Sequence, residues 1–339
     1  MDRKRLLGMN PAELKEAALA AGLPAFAGGQ LAKWIYQRRV RDFASMTDIS
    51  KAGREALESM YEIGIIDPID VQNSKDGTRK YLFPVGENAV EAVMIPEGER
   101  CTLCVSSQAG CKMGYRFCMT GRQGFHGNLE AADILSQFFA VDEAESLTNA
   151  VFMGMGEPLD NWEEVKRAIE VLTAPWGLGW SPKRLTLSTI GVLPMLKRFL
   201  DESKCHLAVS LHNPFPEERF GMMKVEKAWP LRDVLALIRQ YDFTGQRRVS
   251  FEYTLFAGWN DSPRHADALA RLLKGLECRV NLIRFHRIPD FPYDPVPEEG
   301  MEAFRDRLVK GGVTATIRAS RGEDIFAACG LLAGKHNGQ

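Results

Sequence analysis

The rhythm of apolar and polar positions changes at about Cys101. Before that point it is mostly helical. Asn10-Pro11-Ala12-Glu13 offers a capping side chain, a proline at the first helical position and a glutamate three residues after the cap. A second helix is predicted near Gln30–Arg39, with Leu31, Trp34 and Ile35 on one face and Lys33, Arg38, Arg39 and Arg41 left to solvent. A third is predicted near Lys51–Tyr61. Asp76-Gly77 and Gly86-Glu87-Asn88 then punctuate short strands at Lys80–Phe83 and Val90–Ile95. Residues 1–95 are therefore expected to form a small accessory domain of helices and short strands.

Beyond it, strand-like runs recur at Thr102–Ser106, Ala150–Met153, Arg184–Ser188, His206–Leu211, Arg247–Leu255, Arg279–Phe285 and Val313–Arg318. Helical patterns such as Asn161–Leu172, Leu231–Tyr241 and Pro263–Leu276 separate them. Alternating strands and helices pair in parallel through crossovers, which predicts an α/β core over 96–339 shaped as a partial or complete β/α barrel. Chemistry in such barrels gathers at the C-terminal strand ends. Small, polar and cysteine residues cluster at those ends: Ser106-Ser107, Gly154-Met155-Gly156-Glu157, Ser188-Thr189, Ser210-Leu211-His212 and Asn281.

Composition narrows the class. The 339 residues, 45% hydrophobic and 26% charged, suit one large domain with an appendage. No apolar run approaches the roughly 18 residues of a membrane span. The polar start Met1-Asp2-Arg3-Lys4-Arg5 does not lead into a signal core. A net charge of −1 means that any nucleic-acid surface must be a local patch. Of the seven cysteines, Cys101, Cys104, Cys111 and Cys118 fall within one short stretch, while Cys205, Cys278 and Cys329 are scattered. Without a secretion signal this clustering favours metal or redox chemistry over disulfides, and a cytoplasmic location.

Three thiolates separated by three and then two residues can grip one 4Fe-4S cube. Cys111 and Cys118 take the first and third places of that spacing, and Tyr115 takes the second. Two cysteines alone are weak evidence, and buried structural thiols are their default. The flanking residues carry more. Gln108-Ala-Gly-Cys111, Phe117-Cys118-Met119-Thr120-Gly121 and Gln123-Gly124-Phe125 with Asn128-Leu129 resemble the cluster loop of the RlmN/Cfr family of radical-SAM RNA adenine methyltransferases. The resemblance continues in family order through Gly154–Leu159, Thr186–Gly191, Ser210–His212, Asn281–Ile283 and Arg321–Ile325, and ends at Ala327-Ala328-Cys329-Gly330.

That resemblance implies a partial (β/α)6-type radical-SAM barrel and methylation of an adenosine carbon in 23S rRNA, with tRNA a further substrate of some family members. It implies two cofactors, a 4Fe-4S cluster on Cys111, Cys118 and Tyr115 (an incomplete cysteine set) and S-adenosylmethionine. It makes Cys329 the methyl carrier, Cys104 the cysteine that resolves the protein–RNA adduct, and Glu91 a proton acceptor. S-adenosylmethionine contacts map to Gly156, Glu157, Ser188, Ser210, Leu211, His212 and Asn281. An electron donor such as a flavodoxin-type system is implied, and a monomer is the default.

Blander readings stand beside these. His212 alone reads as a satisfied strand-end histidine, and Cys329 alone as a core thiol; their flanks reverse both. Cys101, Cys205 and Cys278 read as structural. The Lys33/Arg38/Arg39/Arg41 stretch reads as a solvated face that an RNA substrate raises to a phosphate-contacting patch. Tyr115 leaves three alternatives: an active enzyme whose cluster uses Tyr115, a nearby thiol such as Cys101 or no third protein ligand; a degenerate paralogue that binds RNA or S-adenosylmethionine without radical chemistry; or a single lesion in an ordinary enzyme. Adenosine C2 is the favoured target, with C8 the alternative.

Overall fold

The computed structural model describes residues 3–245 and 247–334. The first two residues of the polar N-terminus and the last five of the expected core domain lie outside that range.

Among the described residues, one ten-stranded sheet runs through most of the chain. Seven of its strands are parallel and follow one another in sequence: Arg100–Cys104, Asn149–Phe152, Leu185–Thr189, His206–Ser210, Val249–Leu255, Arg279–Arg284 and Thr314–Ile317. Every one coincides with a run expected from sequence. The crossovers carry helices, among them Trp162–Thr173, Leu193–Glu202, Pro263–Leu273 and Glu298–Lys310. Their apolar stripes cover the sheet: Leu196, Phe199 and Leu200 on one helix, Leu269 and Leu273 on another. This α/β architecture agrees with the partial barrel expected. The sheet does not stop at 95. The division falls inside strand Asn88–Glu97, which pairs antiparallel with Arg100–Cys104 on one side and Arg79–Val85 on the other. Asp70–Asn73 completes that edge.

The helical N-terminal part packs on two crossover helices, with Arg5 paired to Asp133 of Ala131–Phe139 and Glu13 to Arg167 of Trp162–Thr173. Its first helix, Pro11–Ala20, starts at a full capping box: Asn10 Oδ1 accepts from the amides of Ala12 and Glu13 while Glu13 accepts from Asn10 N. The expected helix over Gln30–Arg39 forms as Ala27–Ala32 continued by a wider π turn, Lys33–Gln37. The basic stretch is not a free patch. Arg39 donates to Ala144 O at 2.7 Å, Arg41 pairs with Asp67 at 2.5 Å, and Arg38 lies over the Trp34 ring. Lys33 is exposed.

The polypeptide after the last strand returns across the open end of the sheet. Gly322 N donates to Asp76 Oδ2 (2.9 Å), and Asp324 accepts from Ser74 Oγ (2.5 Å) and Lys75 N (3.1 Å). The Asp76-Gly77 turn thus clamps the segment leading to Cys329. Burial works against it, but hydrogen bonds from Gly322, Thr78 and Ser74 hold the Asp76 carboxyl below its ordinary range. Gly322 sits at φ +63°, and a Cβ there would meet Ala327 Cβ at 2.7 Å and Thr78 Cγ2 at 3.0 Å. Gly322→Ala is expected to destabilise the chain by about 2 kcal/mol in urea unfolding, from backbone strain and this crowding. A variant as stable as the parent would show that the segment yields freely at this point.

Candidate active site

Strand ends, the 111–123 loop and the returning C-terminal segment enclose one cavity. Cys111, Tyr115, Cys118, Gly156, Glu157, Ser188, Ser210, His212, Glu252 and Cys329 all line it. Nine of the expected site residues, Tyr115 among them, therefore converge, joined by Glu252, which sequence reasoning passed over.

Glu157 shows how the loops are built. It follows Gly156, whose φ of +98° and hypothetical Cβ 2.5 Å from Gln108 Cβ admit only glycine. The close approach Gly156 permits is to the neighbouring loop, where Gln108 Oε1 accepts from Glu157 N (2.9 Å) and Gln108 Nε2 reaches Asn128 and Asp160. The carboxylate itself accepts from Leu159 N (3.1 Å) and Ile190 N (3.0 Å). Burial outweighs these bonds and pushes its pKa up to about 7.

The Ser210–His212 corner is held from below. Arg219, fully buried, donates to Leu211 O (2.9 Å) and Ser210 O (3.0 Å) and pairs with Glu226. His212 takes φ +57°, and its Nδ1 accepts from Thr254 N at 3.0 Å, which leaves the ring proton on Nε2. Burial, with help from Arg219, lowers its pKa to about 3, so the ring is neutral. Leu211 is turned into the core and does not line the cavity. Asn281 is not there either. Its Nδ2 donates to Glu252 Oε1 (2.8 Å), its Oδ1 accepts from Thr316 Oγ1 (3.0 Å), and it borders a different cavity with Ser250 and Thr314.

Glu91 is also set apart. It pairs with Lys80 at 2.9 Å, and its other oxygen accepts from Ala333 N (2.6 Å) and Gly334 N (3.0 Å). It is buried and lines neither of the cavities that Cys329 borders. The C-terminal segment is further fixed to the cysteine loop by Thr120 Oγ1 to Leu332 O (2.7 Å), Gln123 Nε2 to Ala333 O (2.6 Å) and Met119 N to Gly330 O (2.8 Å). Cys329 is exposed to the enclosed space between, and opens both onto the cavity of Glu157 and onto a second one lined by Cys104 and Arg318.

Tyr115 lies in this loop with its ring stacked on Phe117 (centroids 5.3 Å) and edge-on to His212 (6.1 Å). The hydroxyl is buried without a hydrogen bond of good geometry, facing Glu157 and Ser210. Burial first, then the Glu157 carboxylate, pushes this phenol well above its ordinary range. Cys101 gives no substitute: it lies at the far end of its strand from Cys104, its amide bonded to Thr148 Oγ1, and does not line the cavity. Among the described residues no three His, Cys, Asp or Glu side chains converge as a metal site.

A family model described as the ribosomal RNA large subunit methyltransferase N-terminal domain matches residues 4–63, and the radical SAM superfamily model matches 105–270. The chain is 63% identical over 328 residues to a probable dual-specificity RNA methyltransferase RlmN of Porphyromonas gingivalis, covering 96% of each. It belongs to the RlmN family of radical SAM methyltransferases. A similarly named protein of Parabacteroides distasonis is 57% identical, covering 99% of this chain and 98% of its own. The crystal structure of a radical SAM methyltransferase from Sphaerobacter thermophilus superposes with a TM-score of 0.92 at 36% identity, covering 98% of this chain and all of that one.

Membership in this enzyme family implies a 4Fe-4S cluster and S-adenosylmethionine. The cavity suits the second: the Glu157 and Glu252 carboxylates, Ser188, Ser210 and a neutral His212 stand among apolar side chains such as Phe117 and Ile190. The donor set does not suit the first, because the middle place of the loop holds a neutral, hard phenol engaged in an aromatic stack where a soft thiolate is required.

The raised Glu157 pKa has a consequence for stability. Its folded value lies above its unfolded value, so its contribution is fully present below about pH 4.5 and is lost as pH rises through about 7. Relative to Glu157→Gln, the parent chain should lose on the order of 3 kcal/mol between pH 4 and pH 8 in urea unfolding. A difference between the two that stays flat with pH would refute the raised value.

Proposed function

We propose that this site is built to methylate adenosine at C2 in 23S rRNA, with tRNA as a second substrate, a reading supported by relatives named as dual-specificity RNA methyltransferases. The observation that carries the reading is Cys329 held at the junction of two cavities, one presenting Glu157, Ser188 and Ser210 and the other Cys104. In this reading Glu157 accepts from the ammonium of S-adenosylmethionine, and Ser188 and Ser210 bond its carboxylate or ribose. His212 closes the wall as a neutral donor. Cys329 carries the methyl group, and Cys104 stands across the second cavity as the resolving thiol. Glu91 serves as proton acceptor only once the amides of Ala333 and Gly334 are withdrawn from it. Leu211 and Asn281 support the site from behind. Residues 1–95 with their strand extension form the accessory unit, and the rest the methyltransferase core. The chain acts as a cytoplasmic monomer supplied with electrons by a flavodoxin-type donor.

Where the family places a cluster, Cys111 and Cys118 would be two of its ligands, and the cluster would supply the electron that makes the radical. No step is assigned to it in this chain, since Tyr115 leaves one thiolate missing. Tyr115 therefore favours a second reading of the native sequence, as a family member that binds RNA and S-adenosylmethionine without radical turnover.

Anaerobic iron–sulfur reconstitution of the parent chain and of Tyr115→Cys separates these readings. Tyr115→Cys is expected to gain a full cluster by iron analysis and electron paramagnetic resonance, and to yield 2-methyladenosine in a 23S rRNA fragment by mass spectrometry. The parent should show little of either. Equal cluster content in both would sink the second reading. A fully loaded Tyr115→Cys that makes only 8-methyladenosine, or no methylated nucleoside, would sink the first.

A further inference from the structure

The second cavity beside Cys329 contains a charge that the mechanism above does not use. Arg318 follows the last strand, its amide fixed to Leu282 O at 2.9 Å. Its guanidinium lies 3.5 Å from Glu252 Oε2 and 3.5 Å from Met153 Sδ, and it lines the cavity together with Cys104 and Cys329. Glu252 is itself buried and tied down, accepting from Asn281 Nδ2 (2.8 Å) and Ser250 Oγ (3.0 Å). The guanidinium is therefore anchored on Glu252 at the wall of a cavity that both sulfurs also line. Other charged groups around this space are Glu97, Arg284, His286 and Arg321. Arg284 is taken up by Glu298, and His286 bonds Ser320 Oγ at 2.9 Å. Arg318 is close enough to act electrostatically on both Cys104 and Cys329.

We propose that Arg318, anchored by Glu252, is a positioning residue that stabilises negative charge on the Cys104 and Cys329 sulfurs. A thiolate, not a thiol, is the attacking form of either sulfur. Enclosure works against it, pushing Cys104 up to about 12 and Cys329 up to about 11, and in both cases Arg318 acts in the opposite direction. Glu252 opposes ionisation at Cys329, so one carboxylate both holds the cation and tempers it. This rests on the reading of Cys104 and Cys329 as the working sulfurs, but it concerns the free chain and needs neither RNA nor cluster.

The test is iodoacetamide alkylation of the full, reduced chain at fixed pH, with the rates at Cys104 and Cys329 read peptide by peptide. Cys278, which borders neither cavity, is the internal reference. Removing an opposite charge next to a titratable group changes its ionised fraction by about tenfold or more. Arg318→Gln should accordingly slow both sulfurs about tenfold with Cys278 unchanged, while Arg318→Lys stays within about threefold of the parent. Glu252→Gln should accelerate Cys329, and it decides the matter if Arg318→Gln fails to fold. Unchanged rates in Arg318→Gln, slowing in Arg318→Lys as large as in Arg318→Gln, or a Glu252→Gln that does not accelerate Cys329 would each overturn the proposal. Failure of Tyr115→Cys to methylate RNA would leave these rates untouched, so the two readings fall separately.

Discussion

Glu91 and Lys80 lie 2.9 Å apart with almost no access to water. Either charge buried alone would cost several kcal/mol, and together they are tolerable only if the remaining hydrogen-bonding capacity is met. The second oxygen of Glu91 meets it with the amides of Ala333 and Gly334, some 240 residues downstream. Satisfying one carboxylate therefore pins the end of the chain across the mouth of the sheet. The Asp76 turn fixes the same segment at its other end, and the loop after Cys118 fixes its middle. Cys329 sits between these anchors because its neighbours have nowhere else to place their polar groups. Residues 329–332 of this segment supply part of the cavity wall.

Much of this architecture was legible because each signal was local. The seven parallel strands announce themselves as apolar runs between helical periods, and the Asn10 capping box needs only four residues. Other features stayed hidden for definite reasons. Helix Ala131–Phe139 is buried along its whole length, its polar face of Asp133, Ser136 and Gln137 turned to Arg5, Ile66 N and Ser106 N and not to water. Strand Asp70–Asn73 is a short, polar edge. The basic residues near Arg39 looked available because nothing local announces Ala144 or Asp67 as their partners. The same holds at the site. Cysteines, Gly156, Glu157 and the strand-end serines were found from motifs, and the geometry brings most of them together. Leu211 and Asn281 belong to the same motifs but face the core and the sheet interior. Glu252 and Arg318 were missed, though a lone acid inside the apolar run Val249–Leu255 was a signal that could have been followed.

The electrostatics of the cavity follow from the burial of the groups around it. Enclosure raises Glu157, Cys104, Cys111 and Cys329 and lowers His212, all toward the neutral form. Such a space is poor at holding charge unless it supplies a partner for each one. The ammonium and sulfonium of S-adenosylmethionine are the kind of partner Glu157 lacks. For the sulfurs, Arg318 is the partner within the chain.

Tyr115 is compatible with this fold for the same reason that it is ill suited to the chemistry. Phe117, Phe256, Ile190, Met222 and Leu331 already form an apolar cluster around the loop. A ring entering it buries surface at about 25 cal/mol per Å² and gains a stacking contact, against a cost of about 1–3 kcal/mol for its orphaned hydroxyl. The exchange of thiol for phenol is thus close to balanced in stability. Folding exerts little pressure against it, since the loop is held by Cys111 N to Gly124 O, Met119 N to Gly330 O and the Thr120 and Gln123 side chains, none of which involves a metal. A chain of this kind can keep its fold and the cavity around Glu157 intact while lacking the soft ligand that radical chemistry requires.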